Sequence, residues 1–186
     1  MRQMAGMLLT GGASRRMGTD KARLVVNGET LAARSARVLA AVCDPVIEVG
    51  PGVSGLPAVL EEPSGAGPLV ALLAGVGALG GPHSVILLAC DLPNMSPELI
   101  RLLVERPGSA TVIPVVDGKF QYACARYGGA AFDEARASLR HGLTSLREIA
   151  GSDCEFVSEA DWGGVASALT FADVDTPEDL RRLGLS

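Results

Sequence analysis

Short, continuous apolar runs alternate along the chain with segments in which apolar residues recur at helical spacing. The apolar runs Met4–Leu9 and Ser84–Ala89 predict strands that are covered on both faces, as in the middle of a parallel sheet. The other predicted strands are Leu24–Val26, Pro45–Gly50, Leu56–Leu60, Ala110–Val116, Phe120–Tyr127, Cys154–Val157 and Ala168–Val174. Asp117-Gly118 predicts a hairpin turn, so part of the sheet should be antiparallel.

Helices are predicted between these strands, because capping residues and prolines precede several of the periodic segments. The clearest start is Ser96-Pro97-Glu98, in which a capping serine precedes a proline and an acidic residue of the first turn. The predicted helices run from the Thr30 cap to about Cys43, over Pro68–Leu79, from Ser96 to about Glu105, over Gly129–Arg140 and Thr144–Ala150, and onward from the Thr176 cap. This alternation predicts an α/β fold, a three-layer α/β/α sandwich with a mostly parallel, partly mixed sheet.

Composition is that of one folded domain spanning residues 1–186, with 48% apolar and 20% charged residues. A net charge of −5 argues against a general nucleic-acid-binding protein. The first 37 residues carry seven basic and two acidic side chains, whereas residues 38–118 carry two basic and eight acidic ones. This asymmetry suits a site that holds polyphosphate on one wall and a metal ion on another.

Cysteine usage and hydropathy indicate a cytoplasmic protein without a membrane partner. The four cysteines are widely spaced and form no C-x-x-C pair, which is typical of buried thiols in a reducing compartment. No signal peptide is expected, because the N-terminal residues lack a basic region followed by a long apolar core. The longest apolar stretch, Leu69–Leu79, is too short and too interrupted by glycine to span a bilayer.

The most informative stretch is Leu8–Leu24, in which a predicted strand ends in a glycine-rich, basic loop. Adjacent glycines let a ligand approach backbone N–H groups, and such groups form anion-binding concavities. The spacing fits neither a Walker loop nor a dinucleotide fingerprint. The candidate phosphate contacts in this loop are Gly11, Gly12, Arg15, Arg16 and Lys21.

Carboxylates follow several of the other strands, where ligands of α/β sheets bind. Asp91 follows a buried strand and precedes Pro93, a good position for a magnesium ligand. Glu62 ends the third strand and could accept the ring N–H and amino group of guanine, with Glu61 as the alternative acceptor. Asp175 precedes the last predicted helix.

The loop, read as L-x-G-G-x-S-x-R-M-G-x-D-K, resembles the N-terminal signature of nucleotidyltransferases of the GT-A-like fold. Within that superfamily it is most similar to the molybdenum cofactor guanylyltransferases, the MobA family. Cys90-Asp91-Leu92-Pro93 resembles the family's metal-binding C-D-x-P, and Gly65–Leu69 resembles its G-P-L-A-G. Residues 173–180 resemble its N-x-N-T-P-E-[DE]-L, with aspartate in place of both asparagines.

This resemblance implies a Rossmann-like nucleotidyltransferase fold and transfer of GMP from GTP to molybdopterin, with or without bound molybdenum, releasing pyrophosphate. It implies catalytic roles for Lys21, Arg15 and Asp91 and a Mg²⁺ ion on Asp91 and Asp175. It implies nucleotide contacts from Leu9, Thr10, Gly11, Gly12, Lys21, Glu62 and Asp91.

The acceptor end is where the sequence departs from the family. Many members carry a His-Pro pair near Phe120–Ala123, a segment thought to contact the pterin, and this chain has none there. A second candidate acceptor loop contains His141-Gly142 and Thr144-Ser145, although His83 and His141 themselves are expected to be structural or surface residues. Cofactor-biosynthesis proteins and acceptor enzymes are candidate partners.

Two other enzyme readings stay open, a molybdopterin cytidylyltransferase and another small-molecule nucleotidyltransferase such as one acting on sugar phosphates. A third alternative is a non-catalytic nucleotide-binding module, against which the intact Lys21 and Asp91 count.

Overall fold

The protein is described by a computed structural model that covers residues 4–11, 20–108, 111–149, 151 and 153–185. Its strands are β1 (Ala5–Leu9), β2 (Val25–Val26), β3 (Glu29–Thr30), β4 (Val46–Val49), β5 (Ala58–Val59), β6 (Ser84–Ala89), β7 (Thr111–Val116), β8 (Lys119–Phe120), β9 (Cys124–Gly128) and β10 (Cys154–Val157). Its α-helices are α1 (Leu31–Ala40), α2 (Pro68–Ala78), α3 (Pro97–Glu105), α4 (Gly129–Arg140), α5 (Glu159–Trp162) and α6 (Pro177–Arg182). Short 3₁₀ helices cover Lys21–Arg23, Leu146–Ile149 and Ala168–Phe171.

One mixed sheet organises the molecule. Its strand order is β10-β7-β9-β6-β1-β4-β5, with β8 paired to β7 and with β2 and β3 forming a separate ribbon. Strands β6, β1, β4 and β5 are parallel, whereas β9 runs antiparallel to both β6 and β7. The predicted hairpin is present at Asp117-Gly118, where both residues have positive φ. The mostly parallel, partly mixed sheet is therefore confirmed.

Both faces of the central strands are buried, which explains their continuous apolar sequences. In β1, Leu8 packs into one hydrophobic core while Met7 and Leu9 pack into the other. Helices α1 and α3 complete the first core, and α2 and α4 complete the second. The predicted three-layer α/β/α sandwich is confirmed.

Helix α2 approaches the sheet at Gly75. A Cβ atom on Gly75 would lie 2.6 Å from Met7 Cε and 2.9 Å from Val49 Cγ2, so only glycine fits at this depth. The close contact packs the second half of α2 directly against β1 and β4.

Helix starts follow the capping signals. The side chains of Thr30, Ser96 and Thr176 each accept a hydrogen bond from a backbone N–H of the first turn, as predicted. Helix α4 has the predicted bounds, whereas α1 ends at Ala40 rather than near Cys43.

Four predictions need correction. The segment Ala168–Val174 is not a strand: residues Ala168–Phe171 form a 3₁₀ helix, because Ser167 and Thr170 satisfy each other's backbone locally. The predicted helix Thr144–Ala150 is a 3₁₀ helix over Leu146–Ile149. The predicted strand Phe120–Tyr127 is interrupted: Phe120 ends β8, and residues 124–127 form most of β9. The predicted strand Leu56–Leu60 is a strand only at Ala58–Val59. Within the described residues, no helix has the length and apolar character required to cross a bilayer.

Candidate functional site

A cavity of about 430 Å³ opens where β1 and β6 end. Residues Leu9–Gly11 lead out of β1 and Ala89–Asp91 lead out of β6, and both segments line the cavity. The N–H of Cys90 donates to the carbonyl of Leu9 at 3.1 Å, so the parallel pairing continues to the rim. The remaining walls are formed by Lys21, Pro68, Tyr122, Ala123, Ser145, Leu146 and Arg147.

Most of the residues singled out from the sequence meet at this cavity. Five of them line it directly: Leu9, Thr10, Gly11, Lys21 and Asp91. Asp175 joins them through an ion pair with Lys21. Gly12, Arg15 and Arg16 lie outside the described residues, so their predicted roles stay predictions.

Lys21 is one of two cationic side chains that line this cavity within the described residues, the other being Arg147. Lys21 begins a 3₁₀ helix that Asp20 caps by accepting the N–H of Ala22 at 3.1 Å. Its ammonium group forms an ion pair with Asp175, and its Nζ lies 3.9 Å from Asp91 Oδ2. The chain thus directs one positive charge between two carboxylates that come from distant parts of the sequence.

Asp91 lies in a partly enclosed position. Burial raises the pKa of its carboxyl above the ordinary value, the charge of Lys21 opposes that rise, and Asp173 and Asp175 add to it. The N–H of Val174 donates to the carbonyl of Asp91 at 2.9 Å. This backbone bond docks the C-terminal segment onto the end of β6 and brings its carboxylates near Asp91.

The position of Asp175 is set by the start of α6. Asp179 accepts hydrogen bonds from the N–H groups of Asp175 at 3.0 Å and Thr176 at 2.8 Å, and Thr176 caps the helix in return. The Thr-Pro-Glu-Asp string is therefore a capping box, and its structural effect is to hold Asp175 against Lys21.

Glu61 and Glu62 differ sharply in their surroundings. Glu61 is 5% exposed, and its Oε1 lies 3.4 Å from the position that a Cβ on Gly11 would occupy. The same oxygen accepts the N–H of Gly65 at 2.9 Å. Glu62 is exposed, and both glutamates line a surface pocket separate from the first cavity. Glu61, which the sequence analysis gave as the alternative acceptor, is thus the carboxylate nearer to Gly11.

A second cavity of about 480 Å³ lies on the other side of Asp91 and Ala123, which line both cavities. Its polar lining residues include Lys119, Gln121 and Asp173, and its apolar wall includes Phe120 and Phe171. The segment Phe120–Ala123 therefore stands between the two spaces.

The second candidate acceptor loop lies at the start of α2. The carbonyl of Thr144 accepts the N–H of Leu69 at 3.1 Å, and Ser145 lines the first cavity. His83 and His141 are exposed, in agreement with their expected place at the surface.

Cys90 also lines the first cavity, but its thiol is unsuited to nucleophilic chemistry. Burial, with a smaller contribution from Asp91 and Asp20, raises the pKa of this thiol to about 12. At neutral pH the sulfur is therefore protonated and acts as a small apolar wall.

Sequence reasoning missed Arg147, which lines the first cavity, and Glu48 of β4, which has no exposed surface and accepts the hydroxyl of Thr10. The available signal for Glu48 was an acidic residue inside an otherwise apolar predicted strand. A buried carboxylate needs hydrogen-bond donors around it, so its presence there marks a connection with a neighbouring segment.

Comparison with known proteins agrees with this geometry. Residues 6–155 match the family described as MobA-like NTP transferase domain. A probable molybdenum cofactor guanylyltransferase from Opitutus terrae is 37% identical over 78% of this chain and 77% of its own length. One from Mycobacterium avium is 32% identical over 97% of this chain and 95% of its own.

Among solved structures, molybdopterin-guanine dinucleotide biosynthesis protein A from Archaeoglobus fulgidus superposes with a TM-score of 0.81. It is 21% identical, and the match covers 97% of this chain and 96% of that one. The shared fold, together with the sequence match over most of the chain, confirms the resemblance carried by the N-terminal loop. The chain belongs to the MobA-like NTP transferase family.

Proposed function

We propose that this protein transfers GMP from GTP to the terminal phosphate of molybdopterin, with or without bound molybdenum, and releases pyrophosphate. The observation that carries the proposal is the meeting of Lys21, Asp91 and the Thr10-Gly11 segment at one cavity. The relatives named molybdenum cofactor guanylyltransferase, at 37% and 32% identity, support this choice of reaction.

The first cavity is the proposed nucleotide site. Its volume of about 430 Å³ is within the range of small-molecule pockets. Gly11 offers backbone to the phosphates without a side chain in the way, and Lys21 supplies positive charge beside it. Gly12, Arg15 and Arg16 are proposed to complete this phosphate cradle, and Arg16 stands at the arginine of the family signature.

The reaction does not require a strong general base. The attacking oxygen belongs to a phosphate that is already an anion at neutral pH, so no proton needs to be removed from it. It forms a bond to the α-phosphorus of GTP while the bond from that phosphorus to the bridging oxygen breaks, and pyrophosphate leaves. Lys21 neutralises charge that shifts onto the departing pyrophosphate, and the rigid strand ends align the two substrates.

Mg²⁺ is the proposed cofactor, and the residues present fit it. Asp91 and Asp175 both contact the ammonium group of Lys21, so their carboxylates are brought together in one part of the site. Mg²⁺ commonly takes one or two carboxylates, substrate phosphates and water. No group of three or more His, Cys, Asp or Glu side chains suited to a metal was found in the part of the chain that is described. When bound, the ion would draw charge from the phosphates, and Asp91 and Asp175 would hold it.

Guanine recognition is proposed for the Glu61-Glu62 pair. A carboxylate can accept both the ring N–H and the amino group of guanine, a pattern that neither adenine nor cytosine offers. Glu61 is the nearer of the two to Gly11, whereas Glu62 is exposed.

The second cavity is the proposed acceptor site. It shares Asp91 and Ala123 with the first, so an acceptor phosphate at the shared wall would lie next to the α-phosphate of the nucleotide. Phe120 and Phe171 offer apolar surface for a pterin ring, and Lys119 and Gln121 offer hydrogen-bond donors.

We place this reaction in the cytoplasm. All four cysteines, Cys43, Cys90, Cys124 and Cys154, are free thiols, as expected in a reducing compartment.

Calorimetric titration of GTP, CTP and ATP with Mg²⁺ present tests the proposal, using the wild type and Asp91→Ala, followed by pyrophosphate release with molybdopterin as acceptor. Selective GTP binding that weakens without Asp91, with acceptor-dependent pyrophosphate release, is the expected result. A preference for CTP would assign cytidylyl transfer instead. If none of the three nucleotides bound, the assignment as an enzyme would be rejected in favour of the non-catalytic alternative.

A further inference from the structure

Glu48 is a charged side chain in the interior of the protein that lies behind the cavity rather than in its wall. It belongs to β4, next to β1 in the sheet, and is 0% exposed. Isolated carboxylates are costly to bury, so the groups that surround this one decide whether it can stay ionised. Its position one strand away from the phosphate loop makes those groups informative.

The two carboxylate oxygens of Glu48 join two separate segments of the chain. Oε1 accepts the hydroxyl of Thr10, together with the N–H groups of Gly52 at 2.8 Å and Val53 at 3.0 Å. Oε2 accepts the N–H of Ser54 at 2.8 Å and its hydroxyl at 2.5 Å. One side of the carboxylate thus holds the first residue after β1, and both oxygens hold the loop that follows β4.

Hydrogen bonding keeps this group charged. Burial alone would raise the pKa of Glu48, but the hydroxyls of Ser54 and Thr10 and the N–H groups of Val53 and Ser54 outweigh it and lower the pKa. The interaction with Thr10 is therefore a hydrogen bond to an anion, which is stronger than one between neutral groups.

Gly50 also packs closely against Thr10 and Gly11. A Cβ on Gly50 would lie 2.1 Å from the Thr10 hydroxyl oxygen and 2.8 Å from the backbone N of Gly11. The N–H of Thr10 also donates to the carbonyl of Val49 at 3.2 Å. Thr10 is consequently fixed by its backbone and its side chain, and its neighbour Gly11 is packed against Gly50.

We propose that Glu48 is a positioning residue for the nucleotide: by holding the Thr10 hydroxyl, it sets the orientation of the Gly11 backbone that receives the phosphates. This role rests on the proposed function, in which the first cavity binds GTP. Glu48 itself does not touch the substrate, and the loop 52–54 anchors the carboxylate from behind.

The test compares substitutions on the two sides of the carboxylate. Thr10→Val removes the hydroxyl while keeping the side-chain shape, and Glu48→Gln removes the charge. Ser54→Ala is the matched control, because it removes a hydrogen bond to Glu48 but leaves the bond to Thr10 in place. For each variant, the Kd and KM for GTP, the KM for the acceptor and kcat are measured.

Thr10→Val and Glu48→Gln should each raise the Kd and KM for GTP about tenfold, with the KM for the acceptor unchanged. The double variant should bind GTP no more weakly than the weaker-binding single variant, because both substitutions remove the same hydrogen bond. Thr10→Ser should restore wild-type affinity, and Ser54→Ala should stay within about twofold of it. If Thr10→Val folds and binds GTP as tightly as wild type, the proposal is overturned. This outcome decides the question even if Glu48→Gln fails to fold.

Amide hydrogen exchange separates this proposal from the proposed function. If the wild type bound no nucleotide, the proposed function would fail by itself. The N–H of Thr10 donates to the carbonyl of Val49, so its exchange reports on the order of this segment. Faster exchange at the residue 10 amide in Thr10→Val, but not in Ser54→Ala, would then still support Glu48 as the residue that orders this loop. Equal exchange at this amide in wild type and Thr10→Val would overturn that role as well.

Discussion

The ammonium nitrogen of Lys21 lies 3.9 Å from Oδ2 of Asp91, although the two residues belong to different loops. Lys21 follows the glycine loop after β1, and Asp91 follows β6. Because β1 and β6 are parallel neighbours, their carboxyl ends meet at the same edge of the sheet. The topology thus places a cation for phosphate and a carboxylate for a metal within reach of one ligand.

Lys21→Ala should lower kcat for pyrophosphate release by about a hundredfold or more while leaving the fold intact, because it removes the charge placed beside the phosphates. The matched control is Arg23→Ala, in the same 3₁₀ helix, whose side chain is 69% exposed. The measurement is steady-state kinetics together with thermal unfolding of both variants. Near-normal turnover in Lys21→Ala would remove Lys21 from the mechanism.

Asp91→Asn should weaken Mg²⁺-dependent GTP binding by about tenfold or more, since the amide keeps the shape of the side chain but loses the charge that a divalent cation requires. Asp133→Asn is the control, because the Asp133 side chain is 85% exposed on α4. Titration calorimetry with and without Mg²⁺ checks the prediction. If both variants bound GTP as tightly as wild type, Asp91 would have no part in holding the metal.

Strand periodicity and loop chemistry predicted the parts of the fold that depend on local signals. The uninterrupted apolar run of β6 is typical of a strand covered on both faces, and the helix caps at Thr30 and Ser96 act as their residue types suggest. The grouping of Lys21 with Asp91 also follows, since both come after strands that are parallel neighbours.

Other features depend on tertiary contacts that the sequence does not display. Ala168–Phe171 has apolar residues like a strand, but a local capping box competes with ladder bonds and forms a 3₁₀ helix. The choice between Glu61 and Glu62 depends on which side chain turns toward Gly11, and adjacent residues give no periodicity to decide it. Glu48 could not be connected with Thr10 until the register of β1 and β4 was known.

Acid should remove the stability that Glu48 contributes. Its pKa is lowered in the folded protein, so the folded state binds fewer protons than the unfolded state within the acid range. The contribution is therefore fully present above the unfolded pKa and is lost as the pH falls through the folded pKa. The difference in free energy of unfolding between wild type and Glu48→Gln, measured with urea, should shrink from neutral pH to about pH 3.

The groups around Glu48 do not add titrations of their own to this comparison. The groups that contact its carboxylate are the hydroxyls of Thr10 and Ser54 and backbone N–H groups, which do not titrate in this range. Other carboxylates titrate alike in wild type and Glu48→Gln, so they cancel in the difference. A difference that grew with acidity would contradict the assignment of a lowered pKa.

Two glycines of α2 should respond oppositely to alanine. A Cβ on Gly75 would collide with Met7 and Val49, so Gly75→Ala should lower the free energy of unfolding by about 1–3 kcal/mol. Gly77 is exposed on the same helix and has no neighbour within 4 Å of the added atom. Gly77→Ala should therefore raise stability by up to about 1 kcal/mol through helix propensity. Equal effects in urea unfolding would contradict the close approach of α2 to the sheet.

The residue that recognises the nucleotide base can be identified by substituting Glu61 and Glu62 one at a time. In Glu61→Gln the amide loses one of the two acceptor oxygens that guanine would use, and we expect the preference for GTP over CTP to fall about tenfold. Glu61 lies against Gly11, whereas Glu62 is exposed, so Glu62→Gln should change this preference by less than about twofold. Competition between GTP and CTP in the transfer assay gives the ratio directly. The reverse pattern would assign guanine to Glu62, as the sequence first suggested, and an unchanged ratio in both variants would move base recognition to another part of the cavity.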